Sequence, residues 1–104
     1  MYGRTRRLSA REAYAMIKGN HQVMILDVRS PSEFKTGRIK GAISLPDYDI
    51  FRRAKTLIPN LNTLILVYCK SGSRSHEALY DLMDMGYTNV FDFGGITSWP
   101  YEKE

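Results

Sequence analysis

The sequence predicts an α/β domain of three layers, with a central, mainly parallel sheet of about five strands flanked by helices on both faces. Two patterns carry that expectation. Apolar runs of strand length alternate with capped, helix-periodic segments, as the crossovers between parallel strands require. The best of those runs lack polar alternation, which suits strands covered on both sides. A chain of 104 residues holds one core and no more, so residues 9–104 read as a single domain preceded by a basic arm over residues 1–8.

The elements follow in order. Ser9-Ala10-Arg11-Glu12 has the form of a capping box, in which the Ser9 hydroxyl and the Glu12 carboxylate satisfy amides at a helix start. The helix runs to about residue 18, where Gly19-Asn20 stops it. Val23-Met24-Ile25-Leu26 is a strand ending at Asp27. Ser30-Pro31-Ser32-Glu33 is a second capping box, with Pro31 at the first helical position, where its missing N–H costs nothing; Gly37 ends this helix within two turns. Residues 42–45 form a short strand before Pro46, and Asp47 caps a helix over residues 48–55. Residues 63–68 are the clearest strand, with Cys69 at its carboxyl end. From Arg74 onward, Ala78, Leu79, Leu82 and Met83 make a helical apolar stripe that Gly86 closes. Val90-Phe91-Asp92-Phe93 is the last strand, and Gly94-Gly95 leads into a turn around residues 96–99. Met16, Met24, Met83 and Met85 read as core filling, and His21 as a surface residue.

Charge and cysteine count narrow the function. Of the formal net charge of +4, Arg4, Arg6, Arg7 and Arg11 fall at the start of the chain with no acid among them, and the remainder is balanced. The arm therefore reads as a solvated, partly flexible terminus, and no nucleic-acid partner is expected. One cysteine excludes an internal disulfide, a Cys-x-x-Cys pair and a cysteine-based zinc cluster, so no metal or other cofactor is expected. The longest apolar stretch has six residues, against roughly 18 for a membrane span. The basic start does not run into an apolar signal segment. A cytoplasmic, reducing location and a monomer off the membrane are the expectations.

Parallel sheets place their sites at the carboxyl ends of strands, and Cys69 occupies that place. Cys69-Lys70-Ser71-Gly72-Ser73-Arg74-Ser75 joins the best strand to the best helix. Small residues and a glycine let the backbone curl so that successive N–H groups point inward, an anion-binding nest backed by the positive end of the following helix. A sulfur at its focus is favoured as the thiolate, and Lys70 and Arg74 add positive charge. A lone cysteine ending an apolar strand also serves as a small buried residue. Here, however, no large apolar group occurs from Lys70 to Ser75, and two cations and three serines do. His76 falls inside the helix and is not assigned as a base.

With these motifs the chain resembles the rhodanese-like sulfurtransferases. Leu26-Asp27-Val28-Arg29 with Glu33-Phe34, then Gly37-Arg38-Ile39-Lys40-Gly41-Ala42 and Pro46, is similar to the family's first signature. The loop from Cys69 to Arg74 is similar to its active-site signature, and Gly94-Gly95-Ile96 with Trp99-Pro100 to its usual ending. The family commonly has His where Arg38 stands and Pro where Lys40 stands. The resemblance implies the rhodanese-like fold and a persulfide cycle. The Cys69 thiolate takes the outer sulfur of thiosulfate or a related small anionic donor, and cyanide or a thiol then removes it. In this reading Cys69 is the nucleophile. The amides of Lys70, Ser71, Gly72, Ser73, Arg74 and Ser75 hold the persulfide and the donor's oxyanion, while the Arg74 and Lys70 side chains attract the donor. Asp27 and Arg29 form an ion pair that orders the loop from behind, or a purely structural helix-entry pair. With no second cysteine in the chain, the acceptor is an external thiol or protein sulfur acceptor.

Two other classes remain in view. The same fold serves as a non-catalytic interaction or sulfur-sensing module. Cysteine-based phosphatases and arsenate reductases use a similar cradle, but with five residues between Cys and Arg. Here Lys70, Ser71, Gly72 and Ser73 alone intervene, a ring too tight for phosphate beside the sulfur.

Overall fold

The computed structural model describes residues 6–104. Helix α1 (Ala10–Gly19) starts at the first capping box, the Glu12 N–H donating to Ser9 Oγ at 3.1 Å and the Ser9 N–H to Glu12 Oε1 at 2.8 Å. Strand β1 (Met24–Asp27) follows, then α2 (Pro31–Thr36), opened by the reciprocal bonds of Ser30 and Glu33 and ended at Gly37. Strand β2 is the two residues Ile43–Ser44, shorter than the sequence suggests. Strand β3 (Ile65–Cys69), helix α4 (Ser73–Asp84) and strand β4 (Val90–Gly95) then succeed one another, and a 3-10 turn over Ile96–Ser98 closes the fold.

Asp47 does not cap the third helix. Its N–H donates to the Val28 carbonyl at 3.0 Å, which holds it against the end of β1 and leaves Asp47–Asp49 as a 3-10 turn. Helix α3 spans Ile50–Leu57, and at its start Asp49 makes no capping bond; its carboxylate pairs with Arg52 at 2.7 Å and Arg53 at 3.6 Å.

The strands are parallel in the order β2-β1-β3-β4. Among the described residues the sheet has four strands, not five. Along the outer edge of β4, residues 6–8 add one parallel bridge, Arg7 to Asp92, with the Leu8 N–H on the Asp92 carbonyl at 2.8 Å. The Arg6 guanidinium lies 5.2 Å from the centre of the Phe91 ring and donates to the Thr88 carbonyl. Arg6 and Arg7 thus touch β4, whose edge offers them a ring, a carbonyl and a buried carboxylate, while the Arg7 side chain stays exposed. Arg4 lies outside the described residues.

Strand β3 is buried throughout and sorts its side chains by parity. Ile65, Val67 and Cys69 join the core under α3 and α4, with Leu26, Ile50, Ala78, Leu79 and Leu82. Leu66 and Tyr68 join the opposite core, with Ala13, Ile25, Phe93 and Trp99. Met24, Met83 and Met85 pack against the first core and Met16 against the second. Burial on both faces is what an apolar run without alternation encodes, and it delivers Cys69 to the carboxyl end of β3 on the α4 side. No helix among the described residues is long and apolar enough to cross a membrane.

Candidate active site

Cys69 Sγ lies at the floor of the loop between β3 and α4, and its residue is 1% exposed. The Gly72 N–H donates to it at 3.0 Å. Gly72 has φ +113°, a conformation L side chains rarely adopt, and this lets the chain double back so that its amide faces the sulfur. Burial pushes the Cys69 thiol up. The Ser75 hydroxyl and the amides of Ser75, Gly72 and Ser71 outweigh it, and the thiol falls below its ordinary range. Helix α4, starting at Ser73, adds the positive end of its dipole.

The loop rests on the end of β4. A Cβ built on Gly95 would lie 2.6 Å from the Lys70 carbonyl carbon and 2.7 Å from Ser71 Cα, so any side chain there must displace the loop. Thr97 fastens the same carbonyl, its N–H donating at 3.3 Å and its hydroxyl at 3.1 Å. The Lys70 side chain is exposed, as are Ser71 and Ser73.

Arg74 points to α2. Its guanidinium donates to Glu33 Oε1 at 2.8 Å and Oε2 at 3.1 Å. The Arg74 hydrogen bond holds the Glu33 carboxyl at about 2, against a cost of burial and with help from Ser30. The sequence shows Glu33 only as a capping residue, yet it serves the Ser30 cap and Arg74 together.

Ser75 is fully buried, its hydroxyl 3.5 Å from Cys69 Sγ and 2.8 Å from Asp92 Oδ1. Asp92 is itself fully buried, with Arg7 Nε 3.7 Å and His76 Nδ1 3.9 Å from Oδ2. A Cβ built on Gly72 would meet Arg7 Nη2 at 3.0 Å, so Arg7 packs on the loop as well. A charged residue inside the apolar run Val90-Phe91-Asp92-Phe93 is the signal that marks Asp92 in the sequence.

Asp27 and Arg29 stand apart from the loop. Arg29 Nη2 donates to Asp27 Oδ2 and to the Gly37 carbonyl, both at 2.6 Å, and the Tyr68 hydroxyl donates to Asp27 Oδ2 at 2.6 Å while accepting the Ile39 N–H at 3.0 Å. The buried pair therefore ties the exits of β1 and α2 to β3. Arg38, where the family's first signature commonly has His, donates to the Phe34 carbonyl, covers the Phe34 ring at 4.4 Å and approaches Glu104. A cavity of about 370 Å³ between α1 and the chain's end, lined by Tyr14, Lys18, Trp99 and Tyr101 among others, includes none of the loop residues.

Residues 9–102 match the family model of the rhodanese-like domain. The chain belongs to the rhodanese-like family. This rhodanese-like chain is 37% identical over 71 residues to the thiosulfate sulfurtransferase PspE of Escherichia coli (strain K12), covering 68% of each chain. It is 36% identical over 78 residues to a sulfurtransferase of Allochromatium vinosum, covering 74% of this chain and 71% of that one. Among solved structures, a rhodanese from E. coli with anions superposes at a TM-score of 0.74 with 33% identity, over 79% of this chain and 96% of its own. The Alr3790 protein from Anabaena superposes at 0.86 with 26% identity, over 93% and 90%.

Proposed function

We propose that this rhodanese-like domain is a sulfurtransferase that moves a sulfane sulfur from thiosulfate or a related anionic donor to cyanide or a thiol, through a persulfide on Cys69. The observation that carries the reading is the Gly72 N–H on Cys69 Sγ at 3.0 Å, within a loop whose Ser71 and Ser75 amides also favour the anionic sulfur. Relatives named as sulfurtransferases support it.

In the first step the Cys69 thiolate attacks the outer sulfur of the donor. The sulfur–sulfur bond breaks and sulfite leaves with the electron pair. The persulfide's terminal sulfur carries the charge, and inward amides stabilise it as fixed dipoles that need no reorganisation. In the second step cyanide or an acceptor thiolate attacks that terminal sulfur, and Cys69 leaves as the thiolate. No side chain is assigned as a base, and the loop lowers the thiol and so raises the share of thiolate. His76 meets Asp92 from the helix and is half exposed. The donor meets the exposed Lys70 and the partly exposed Arg74 at the loop. The acceptor is external, since the chain has no second cysteine.

The test is thiocyanate formation from thiosulfate and cyanide, with ping-pong kinetics and a species one sulfur atom heavier on Cys69 by mass spectrometry. Activity no greater than that of Cys69→Ala, with no such species, would leave the domain as an interaction or sensing module.

A further inference from the structure

Asp92 sits on the face of β4 that α4 covers, with no exposure. Its Oδ1 accepts hydrogen bonds from Ser75 Oγ and the Gly94 N–H, both at 2.8 Å, and among the described residues its Oδ2 accepts none. Ser75 Oγ in turn lies 3.5 Å from Cys69 Sγ. We propose that Asp92 is a positioning residue for the sulfur chemistry, acting on Cys69 through the Ser75 hydroxyl. The inference rests on the reading of Cys69 as the sulfur carrier.

A serine hydroxyl has one proton to give. Around Ser75 Oγ stand Asp92 Oδ1 at 2.8 Å, the Gly72 carbonyl at 3.1 Å, the Gly94 carbonyl at 3.2 Å and the sulfur at 3.5 Å. The carboxylate is the nearest acceptor, and a charge-assisted hydrogen bond is about twice as strong as a neutral one. It takes the proton. The Ser75 oxygen then turns its lone pairs to the sulfur and accepts the thiol S–H. When the thiol ionises, the hydroxyl turns to the anion only in competition with Asp92. The carboxylate thereby weakens the one side-chain hydrogen bond that the sulfur has among the described residues and leaves more of the thiolate's stabilisation to the amides.

The chemical consequence is a balance. Intrinsic nucleophilicity falls as a thiol's pKa falls, so a sulfur stabilised by every available donor attacks slowly even though it is ionised. Asp92 limits that stabilisation. The surrounding charges leave it this role. Arg74, from the first turn of α4, is engaged first by Glu33 of α2, and its charge also feels Cys69 and Asp47 of the 3-10 turn. Lys70 is exposed. Arg7 from the arm and His76 from α4 face Asp92 Oδ2 rather than the sulfur.

The single cysteine makes alkylation by iodoacetamide a reading of Cys69 alone. In Asp92→Asn the side chain keeps an acceptor for Ser75 and Gly94 and drops the charge. The midpoint of the alkylation pH profile moves down by about one unit, and the plateau rate at high pH falls. In a Ser75→Ala background the same replacement moves the midpoint by less than half as much, because the route through the hydroxyl is gone. An unchanged or raised midpoint in Asp92→Asn overturns the proposal, as does a shift in the Ser75→Ala background half as large or larger. If Asp92→Asn fails to fold, the infrared S–H stretch of wild type, recorded below its alkylation midpoint where the thiol is intact, decides. A band shifted to lower frequency than a free thiol, and relieved in Ser75→Ala, supports donation to Ser75, and an unshifted band overturns it. Alkylation needs no sulfur donor. A chain that makes no thiocyanate yet shows the coupled shift would sink the sulfurtransferase reading and leave the Asp92–Ser75–Cys69 linkage standing.

Discussion

Arg74 and Glu33 meet through two parallel hydrogen bonds of 2.8 and 3.1 Å, so the guanidinium that ends the cysteine loop is already half of an ion pair. The charge offered to an incoming anion is therefore smaller than the sequence suggests. The pair also ties α2 to α4 across the site.

Releasing that charge should tighten anion binding. Glu33→Gln is expected to lower the thiosulfate KM by about two- to fivefold, the range of a partly exposed ion pair, with kcat little changed. Arg74→Ala is expected to raise KM rather than lower kcat if its part is uniform attraction of the donor. Steady-state kinetics on both variants checks this, and a loss confined to kcat in Arg74→Ala would place the guanidinium in transition-state stabilisation.

The same pair has a pH signature. Arg74 holds the Glu33 carboxyl at about 2, below the ordinary value of about 4.3. A depressed carboxylate stabilises the fold in full above its unfolded value and loses that contribution as pH falls through the folded one. Urea midpoints measured between pH 5 and pH 2, on the order of the carboxylate range, should therefore fall less steeply in Glu33→Gln than in wild type. Parallel curves would mean that the pair adds nothing.

Gly95→Ala tests the seat of the loop. The added methyl overlaps the Lys70 carbonyl, a backbone group that cannot swing aside as a side chain would. A cooperative melt at a lower temperature than wild type is expected, because backbone must shift, together with a loss of sulfur transfer of tenfold or more, about the cost of moving an amide donor off its anion. Retained transfer would show that the loop tolerates a shift.

Tyr68→Phe removes a hydroxyl that donates to Asp27 and accepts from Ile39. Leaving buried polar groups short of a partner costs about 1–3 kcal/mol, to be read in denaturant unfolding. The Cys69 alkylation profile should not move, since Tyr68 faces the opposite core. A displaced profile would tie the Asp27–Arg29 pair to the loop after all.

These cases mark what a sequence carries locally and what it leaves to packing. Both capping boxes are legible because Ser9 with Glu12 and Ser30 with Glu33 make their bonds within a single turn. The turn after Cys69 is legible for the same reason, since the Ser71 and Gly72 amides that face the sulfur lie within three residues of it. Asp47 misleads because its N–H finds the Val28 carbonyl, a partner from another element. The second task of Glu33 lies 41 positions away on Arg74, and the partner of Asp92 lies 17 positions away on Ser75. No periodicity or motif encodes such meetings. For Asp92 the trace is indirect, a charge in the middle of an apolar strand whose burial demands a partner.

The bridge from Arg7 to Asp92 also bears on how the molecule behaves in a crowded solution. A parallel sheet ends in rows of unpaired backbone donors and acceptors that can recruit another chain. At one margin β2 is two residues long and offers little to pair with. At the other, residues 6–8 lie along β4 and place two guanidinium groups beside it. Residues 6–8 thus lay a basic fringe along that margin, the kind of charged cover that blunts edge-to-edge pairing.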